Sequence, residues 1–392
     1  MLLVELARSQ IEQYALQAGF SSVGFTTAAN ATTFSHLCDW IDHGYAGTMS
    51  YLERRREAYR HPQGVLKNCR SLVLLTLSYQ PHPWTRKSSK RYSLELDLSK
   101  ERGQKSINMP HRGTIGSYAA AREDYHDWIR ERLNPLLSEL HRMFPNNHSR
   151  VVVDTAPLLE REFAHRAGLG WIGKNTMLLN RNLGSYFFLC GILTDIDLNA
   201  DSALDTSAGK GTKSAGHCGT CTACLDACPT QAFQGPYVLD ASRCISYWTI
   251  EHRGSIPESM REGIGPWIFG CDICQIVCPW NRKPKLDSPE GIAPQGLEAK
   301  SDCLHWLQLD DAKFHALYRS TPFWRTGLLR LQRNAMIVAA NLGCKEAIPL
   351  LRSYSQHHEQ FVRETAVWAL DKLSTTAGKI TYQETTEPTA QD

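Results

Sequence analysis

Eight of the 13 cysteines in this chain fall into two closely spaced sets. The first set reads CxxCxxCxxxC and is followed by proline. The second set has the same ending but lacks the opening cysteine, and one further cysteine lies between the two sets. In chain order the eight positions are Cys218, Cys221, Cys224, Cys228, Cys244, Cys271, Cys274 and Cys278. Thiols at this density hold iron–sulfur clusters or zinc, or they form disulfides.

The spacing favours two 4Fe-4S clusters that exchange one ligand. Three thiolates two residues apart can hold one cluster, whereas a fourth thiolate, three residues further on and before proline, reaches the neighbouring cluster. This pattern is typical of two-cluster ferredoxins. It predicts one cluster on Cys218, Cys221, Cys224 and Cys278. It predicts the other on Cys228, Cys244, Cys271 and Cys274. The alternatives are structural zinc, which uses similar CxxC spacing, and disulfides, which do not suit a reducing compartment.

A carboxylate outside these sets is the next candidate for chemistry. Asp154 follows three valines and is expected at the carboxyl end of a buried strand. In open α/β sheets this edge carries ligands and catalytic groups. The alternative is an N-cap for the following helix, a common role for aspartate. Tyr125 and His126, on an earlier helix, could donate protons, although a buried aromatic stripe also explains Tyr125.

A glycine-rich segment, GLGWIGKN, runs from Gly168 to Asn175 and matches GxGxxG. It nearly matches a P-loop as well. Both nucleotide-binding motifs need a strand before the glycines and a helix after them, but the residues from Pro157 to Ala167 are typical of a helix. Asn175 also replaces the hydroxyl residue that would bind magnesium. The sequence therefore predicts a turn whose amides and Lys174 closely approach some other ligand.

The 392 residues predict two or three domains. With 21% charged and 42% hydrophobic residues and a formal net charge of +3, the composition is typical of a globular protein. Helically spaced apolar residues end at Gly19, and apolar runs of strand length begin at Ser71, Val151 and Tyr186. These patterns predict a mixed α and β region with a buried sheet. One helix is expected to carry Tyr118, Tyr125, Trp128, Ile129 and Leu133.

Two segments after the cysteines resemble each other, RNAMIVAA (Arg333 to Ala340) and RETAVWAL (Arg363 to Leu370). Each is expected to be a helix of an α-solenoid repeat, and two repeats must pack against the rest of the protein to bury enough surface. The stretch from Asp197 to Gly216 is typical of a flexible connection. Residues 376–392 are polar and are expected to be disordered.

Two arginine clusters are either solvated helix faces or phosphate-binding patches. They consist of Arg54, Arg55, Arg56, Arg60, Arg325, Arg330 and Arg333. The first ten residues contain Glu5 and no basic leader, so no secretory signal is expected. No apolar stretch reaches the length that spans a bilayer. Together with oxygen-sensitive clusters, these features predict a cytoplasmic protein without a membrane partner.

Four features together closely resemble the epoxyqueuosine reductase family over almost the whole chain. They are the segment from Val151 to Asn180, the SYAAAREDYH segment from Ser117 to His126, the two cysteine sets and the terminal repeats. The resemblance implies an α+β protein. Its expected parts are a mixed α/β cobalamin-binding catalytic domain (1–200), a two-cluster ferredoxin-like module (201–290), HEAT-like α-solenoid repeats (291–375) and a disordered tail (376–392).

The resemblance also implies an activity, the reduction of the epoxide of epoxyqueuosine in tRNA to the alkene of queuosine. The clusters would feed electrons to a cobalamin whose cobalt has no protein ligand. Asp154 matches the family's strand-end aspartate and is the implied general acid, with a pKa raised by burial against the corrin. Tyr125 and His126 are implied on the substrate side. The expected cobalamin contacts are Arg56, Asp154, Lys174, Asn175, Ser246, Arg253 and Asp272.

Partners follow from the same resemblance. The repeats and the basic patches are expected to bind tRNA, an electron donor such as flavodoxin or ferredoxin is expected, and the chain is expected to be a monomer. Two other classes of function remain open. One is a reductive dehalogenase-like cobalamin enzyme, and the other is a two-cluster electron carrier without catalytic activity. The terminal repeats favour the tRNA enzyme over both.

Overall fold

The computed structural model describes residues 2–81, 111–121, 123–198, 217–282 and 300–378, together with residues 292 and 296. The strands are β1 (Ser22–Thr27), β2 (Ser71–Ser78), β3 (Thr114–Ile115), β4 (Ser149–Val152), β5 (Trp171–Ile172), β6 (Leu178–Leu179), β7 (Phe187–Thr194), β8 (Phe233–Gly235), β9 (Val238–Leu239) and β10 (Trp267–Phe269). Most of the predicted connection from Asp197 to Gly216 lies outside the described residues.

The helices fall into an amino-terminal set, a set of short helices near the cysteines and a carboxy-terminal set. They are α1 (Leu2–Gln17), α2 (Phe34–Asp42), α3 (Ser50–Arg54), α4 (Tyr125–Met143), α5 (Glu160–Arg166), α6 (Ala223–Asp226), α7 (Glu258–Arg261), α8 (Ile273–Ile276), α9 (Cys303–Gln308), α10 (Asp311–Tyr318), α11 (Phe323–Thr326), α12 (Leu328–Asn341), α13 (Ile348–Tyr354) and α14 (Gln360–Gly378).

The amino-terminal region is built around a four-stranded sheet in the order β1-β2-β7-β4. Every residue of β2 is buried, because alternate side chains enter two different cores. Val73 and Leu75 pack with α1 and α4, whereas Leu72 and Leu74 pack with α5. Burial on both faces explains why the strand is a continuous apolar run. The predicted mixture of helix and sheet is confirmed.

The topology of this sheet differs from the expected open α/β arrangement. β1 pairs with β2, β2 with β7, and β7 with β4, and each pair is antiparallel. The rule that places sites at the carboxyl edge of a parallel sheet therefore does not apply here. Tyr118 is also misplaced by the sequence pattern. It lies in a short turn, Ser117–Ala119, and the helix begins only after Asp124, whose Oδ1 accepts a hydrogen bond from the His126 amide over 3.0 Å.

The cysteine-rich region and the terminal helices share one hydrophobic core. Ile245 and Phe269 from the former pack in the same cluster as Trp306, Ala335 and Ala366 from the latter. β10 also pairs in parallel with β3 from the amino-terminal region. The two similar segments lie within α12 and α14 and pack against the rest of the protein. Two repeats alone cannot bury enough apolar surface, so this packing is expected. Their classification as HEAT-like repeats, and the domain bounds, remain predictions.

The last helix extends further than expected. α14 continues through Gly378, so the prediction of a disordered tail from residue 376 is wrong for its first three positions. Residues 379–392 lie outside the described part. Within the described ranges, no helix combines the length and the hydrophobicity needed to cross a bilayer.

Candidate active site

The thiols of the two cysteine sets lie close enough to affect one another electrostatically. Burial raises the pKa of Cys278 to about 11, and the nearby thiols of Cys218, Cys224 and Cys221 add to this rise. The last cysteine of the second set therefore lies beside the first three cysteines of the first set. This proximity is compatible with the exchange of ligands that the spacing predicts, and the exchange itself remains a prediction.

The other four thiols show the same relationship. Burial raises the pKa of Cys271, and Cys274 and Cys244 contribute. Burial likewise raises the pKa of Cys244, with a smaller contribution from Cys228. Among the described residues, no three His, Cys, Asp or Glu side chains are arranged to hold a single metal ion. The assignment of each cysteine to a cluster remains a prediction.

The glycine-rich segment braces the cysteine loops and has no helix after it. The Lys174 ammonium donates to the carbonyls of Gly219 (2.8 Å) and Cys221 (3.0 Å). Asn175, which is buried, donates from Nδ2 to the Cys274 carbonyl over 3.3 Å. A Cβ on Gly170 would come within 2.1 Å of the Leu179 carbonyl, so glycine is required for this close packing. The roles of Lys174 and Asn175 as cobalamin contacts remain predictions.

Asp154 lies just beyond β4 in an unusual backbone conformation. Its φ is +58°, in the left-handed region that costs most non-glycine residues energy. Its amide donates to Oε1 of Glu160 over 3.1 Å, and its side chain is 62% exposed. The N-cap of α5 is Leu159, without a side-chain hydrogen bond, so the helix-cap alternative for Asp154 is wrong.

Two buried residues at the start of α4 hold the Asp154 carboxylate. The Tyr125 hydroxyl donates to Asp154 Oδ2 over 3.0 Å, and Nε2 of His126 lies 3.5 Å from the same oxygen. The other ring nitrogen of His126, Nδ1, lies 2.6 Å from Asp124 Oδ1. Tyr125 is 8% and His126 is 3% exposed. Their contacts are therefore with Asp154, and their predicted place on the substrate side remains a prediction.

The pKa values in this cluster follow from those contacts. Although the Asp154 side chain is exposed, partial desolvation by the surrounding residues acts to raise its pKa. The hydrogen bond and charge of His126 and the Tyr125 hydroxyl outweigh this effect, so the pKa is lowered. Burial acts to lower the pKa of His126, but Asp124 and Asp154 outweigh it, so this pKa is raised. The raised pKa that the resemblance implies for Asp154 depends on burial against the corrin and stays a prediction, and the protein's own residues His126 and Tyr125 act in the opposite direction.

A tyrosine connects this carboxylate with the second cysteine set. Burial raises the pKa of Tyr118 well above its ordinary value, and the charges of Asp272 and Asp154 both contribute. Asp272, next to Cys271, is buried and accepts a hydrogen bond from the Ser117 amide over 2.7 Å. The Tyr118 ring lies 6.2 Å from the Tyr125 ring, edge to face. Tyr118 therefore lies within electrostatic range of both the acid and the cysteine loop.

The other predicted cobalamin contacts, Ser246, Arg253 and Arg56, lie in different parts of the structure. The side chain of Ser246 forms a hydrogen bond that lowers the pKa of Cys244, against the larger effect of burial. Arg253 is exposed, and its charge acts on Glu251, whose pKa is raised by burial and then by Asp154. Arg56 forms ion pairs with Asp42 and Glu53. Arg253 thus lies within electrostatic range of Glu251, whereas the described contacts of Arg56 are with acidic residues of its own region.

Sequence reasoning missed Arg325 as a site residue. Its Nη1 lies 3.2 Å from His126 Nε2 and its Nη2 lies 3.8 Å from Asp124 Oδ2, although the residues are far apart in the chain. The only sequence signal for Arg325 was its membership of an arginine cluster. Arg333 from the same cluster is fully buried and donates to the carbonyls of Trp248 (2.6 Å) and Gly254 (2.6 Å). It is therefore not available as a phosphate contact, and that expectation is wrong.

Family models match two parts of the chain. Residues 217–281 match the model described as a 4Fe-4S double cluster binding domain. Residues 60–155 match the model described as Epoxyqueuosine reductase QueG, DUF1730. The first match includes all eight cysteines of the two sets. The second match ends one residue after Asp154. Iron–sulfur binding by this chain is thereby supported.

Comparison with whole proteins gives the same family. The epoxyqueuosine reductase of Pseudomonas aeruginosa is 35% identical over 368 residues, which cover 93% of this chain and 94% of that protein. An epoxyqueuosine reductase crystallised with an epoxyqueuosine-modified tRNA-Tyr stem loop has a TM-score of 0.79 at 28% identity, covering 97% of this chain and 96% of that one.

A third relative has the same overall fold. It is the Bacillus subtilis epoxyqueuosine reductase, in a structure whose catalytic aspartate loop is swung out of the active site. Its TM-score is 0.78 at 26% identity, and the match covers 97% of this chain and 96% of that one. With this fold, these cysteine sets and these relatives, the chain belongs to the epoxyqueuosine reductase family and is an oxidoreductase.

Proposed function

We propose that this chain reduces the epoxide of epoxyqueuosine at the wobble position of tRNA to the alkene of queuosine. The supporting observation is the position of Asp154. Its exposed carboxylate accepts a hydrogen bond from Tyr125, and the charges of Asp154 and of Asp272 in the cysteine loop both act on Tyr118. A proton donor and a route for electrons then meet at one place. The reaction consumes two electrons and two protons and releases water.

We propose two 4Fe-4S clusters as the route for the electrons. One is held by Cys218, Cys221, Cys224 and Cys278, and the other by Cys228, Cys244, Cys271 and Cys274. Support comes from the match of residues 217–281 to a double-cluster domain and from the mutual electrostatic effects of these thiols. Exchange of the fourth ligand keeps the two clusters adjacent. The clusters would relay electrons one at a time toward Asp154.

The residues around Asp154 fit a large ring cofactor such as cobalamin. Tyr51, Tyr118 and Glu251 belong to separate elements, yet burial raises the pKa of each and Asp154 contributes in all three cases. All three therefore lie within electrostatic range of Asp154, where we propose that the cofactor binds. Both ring nitrogens of His126 already have neighbours, which agrees with cobalt that has no protein ligand. Bound there, cobalamin would supply low-valent cobalt for two-electron reduction.

Asp154 is the proposed proton donor to the oxygen that leaves the carbon. A positioned general acid contributes about 10²- to 10⁴-fold to such a reaction. The Tyr125 hydroxyl donates a hydrogen bond that positions the Asp154 carboxylate, and Glu160 accepts a hydrogen bond from the Asp154 backbone amide. The lowered pKa of Asp154 disfavours its protonated form at neutral pH, so this role requires a neighbouring group, His126, to supply the proton.

The proposed substrate carrier is tRNA, as in the relative bound to a modified stem loop. Arg325 is half-exposed and belongs to the terminal helices, so it remains a candidate for the RNA-binding surface. Phosphate contacts make affinity fall steeply with salt. If the affinity for the stem loop did not change between low and moderate salt, this part of the proposal would be wrong.

Family membership favours a catalytic role over the electron-carrier alternative. A dehalogenase-like enzyme would share the cofactors but would act on a small organohalide. We further propose that the chain is a cytoplasmic monomer that receives electrons from flavodoxin or ferredoxin. The discriminating experiment offers the anaerobic, cofactor-loaded protein both substrates, a modified stem loop and an organohalide. We expect conversion of the stem loop, and conversion of the organohalide alone would favour the alternative.

A further inference from the structure

We propose that Arg325 is a positioning residue that controls when His126 passes a proton to Asp154. The inference rests on the proposed function. It assigns a role to Arg325, which is neither a predicted cluster ligand nor the proposed proton donor. Arg325 lies on α11, in the carboxy-terminal part of the chain, whereas His126 lies on α4 in the amino-terminal part. Their contact therefore links two distant segments at the proton donor.

The geometry around His126 Nε2 carries this inference. Arg325 Nη1, which can only donate a hydrogen bond, lies 3.2 Å from this nitrogen. Asp154 Oδ2, which accepts a hydrogen bond when ionised, lies 3.5 Å from it. One ring nitrogen cannot satisfy both neighbours at the same time, because it either carries a proton or presents a lone pair.

Two states of the cluster follow. In one, His126 is neutral, Nδ1–H donates to Asp124 and Nε2 accepts from Arg325. In the other, both nitrogens carry protons, Nε2–H donates to Asp154, and Arg325 is left with the Asp124 carboxylate, whose Oδ2 lies 3.8 Å from its Nη2. Asp124 contacts His126 in both states, at 2.6 Å between Oδ1 and Nδ1. A small displacement of Arg325 therefore changes which state is favoured.

The chemistry requires a supply of protons to Asp154. Epoxide reduction to an alkene breaks two C–O bonds and forms water, so it consumes two electrons and two protons. Asp154 holds one proton at a time. The relay moves a proton from Nε2 of the imidazolium to Oδ2 of the carboxylate, which leaves a neutral imidazole and a carboxylic acid. Solvent then returns the proton to His126, and the electrons come from the proposed flavodoxin or ferredoxin.

The charged groups facing His126 come from each element around it. Asp124 caps its own helix, Asp154 follows β4, and Arg325 lies on α11. The two carboxylates raise the pKa of His126, whereas burial and Arg325 act to lower it. Removal of the guanidinium should therefore let His126 keep its proton to higher pH. A residue that only bound RNA phosphate would not have this effect.

The test compares Arg325→Met with Arg319→Met, which removes an exposed arginine from the end of α10. The kcat of the cofactor-loaded enzyme at saturating stem loop is measured against pH. We expect the alkaline limb for Arg325→Met to shift upward by about one pH unit, with no shift for Arg319→Met. Arg325→Lys, which keeps the charge, should stay near the wild-type profile. His126→Gln should remove the limb.

A second measurement does not depend on turnover. Titration of ¹⁵N-histidine in the cluster-loaded, cobalamin-free protein, with His126 assigned by its loss in His126→Gln, should show the same upward shift in Arg325→Met. Coincident titrations and coincident kcat profiles for wild type and Arg325→Met, with only KM changed, would overturn the inference. Absence of turnover in the wild type would instead count against the proposed function, and the titration would still decide the role of Arg325.

Discussion

The Tyr125 hydroxyl donates a hydrogen bond to Asp154 Oδ2 over 3.0 Å, and Asp154 is the residue whose backbone has a φ of +58°. The Tyr125 ring is fixed by stacking on Phe188, with the ring centroids 4.1 Å apart and the planes 12° from parallel. Tyr125 on α4 thus fixes the direction of the Asp154 carboxylate, and Asp154 itself lies in a strained backbone conformation. The hydrogen bond from Tyr125 therefore acts as a latch that ties the Asp154 loop to α4.

Replacing Asp154 by Asn should reduce turnover by about 10²- to 10⁴-fold, because the amide cannot donate the required proton. The expected iron content and cobalamin binding are those of the wild type. Single-turnover conversion of the modified stem loop measures the effect. Asp127→Asn is the matched control, since Asp127 lies on an exposed face of α4 and pairs only with Arg130 among its described contacts. Wild-type activity in Asp154→Asn would remove the assignment.

Replacing Tyr125 by Phe should weaken the hold on Asp154 without disturbing the ring stack. The Tyr125 hydroxyl lowers the pKa of Asp154, so its loss should raise that pKa. We expect kcat to fall because the carboxylate is no longer held in place, with KM for the stem loop nearly unchanged. A hydrogen bond to a charged group contributes about 1.5 to 3 kcal/mol. Tyr237→Phe, at an exposed tyrosine, is the control. An unchanged kcat and pH profile would argue against the latch.

Replacing Cys278 or Cys244 by Ala should each remove about half of the iron, because each cysteine is predicted to complete a different 4Fe-4S cluster. Iron analysis and electron paramagnetic resonance of the reduced protein check this outcome. Cys38→Ala is the control, since Cys38 lies outside both sets. If either variant kept all its iron, the replaced cysteine would not be a cluster ligand.

Replacing Arg333 by Met should lower the free energy of unfolding by about 2 to 4 kcal/mol, since it leaves several buried carbonyls without a donor. These include the carbonyls of Trp248 and Gly254. Thermal denaturation measures the loss. The salt dependence of stem-loop binding should not change, because the guanidinium is buried. Stability equal to that of Arg319→Met, with weaker RNA binding, would contradict this account.

Replacing Glu160 by Gln should stabilise the protein more at pH 9 than at pH 6. Burial raises the pKa of Glu160 from 4.5 to about 8, so between these values the folded state binds more protons than the unfolded chain. Stability from this group therefore falls as the pH rises through that window. Gln cannot ionise, and its Oε1 can still accept the Asp154 amide. Thermal midpoints at both pH values test this, with exposed Glu131→Gln as the control.

Three strands of the sheet, β2, β4 and β7, could be predicted because their physical signature is local, whereas β1 is only partly buried and was not predicted. β2 and β7 are buried on both faces, so each is a continuous apolar run of the right length. The cysteine sets are equally local, since spacing decides which thiols can share a cluster. Tyr118 was misplaced because its seven-residue offset from Tyr125 fits a helical period, although Asp124 begins the helix only after it.

The proton-donor cluster could be predicted only in part. Asp154, Tyr125 and His126 were identified with the help of the family resemblance. The contact between Arg325 and His126 was not, because it joins residues of distant segments and leaves no local pattern. The direction of the Asp154 pKa also depends on that assembly. Burial alone predicts a rise, and only the positions of His126 and Tyr125 reverse it.

The central claim is that this chain removes the epoxide oxygen from a modified tRNA base with electrons delivered through its clusters. Mass spectrometry of an epoxyqueuosine-containing stem loop, after anaerobic incubation with the cluster-loaded protein, cobalamin and a low-potential reductant, tests it most directly. The account predicts a product lighter by one oxygen atom, and no product when cobalamin or the clusters are left out. An unchanged stem loop from fully loaded protein, or full conversion without cobalamin, would contradict it.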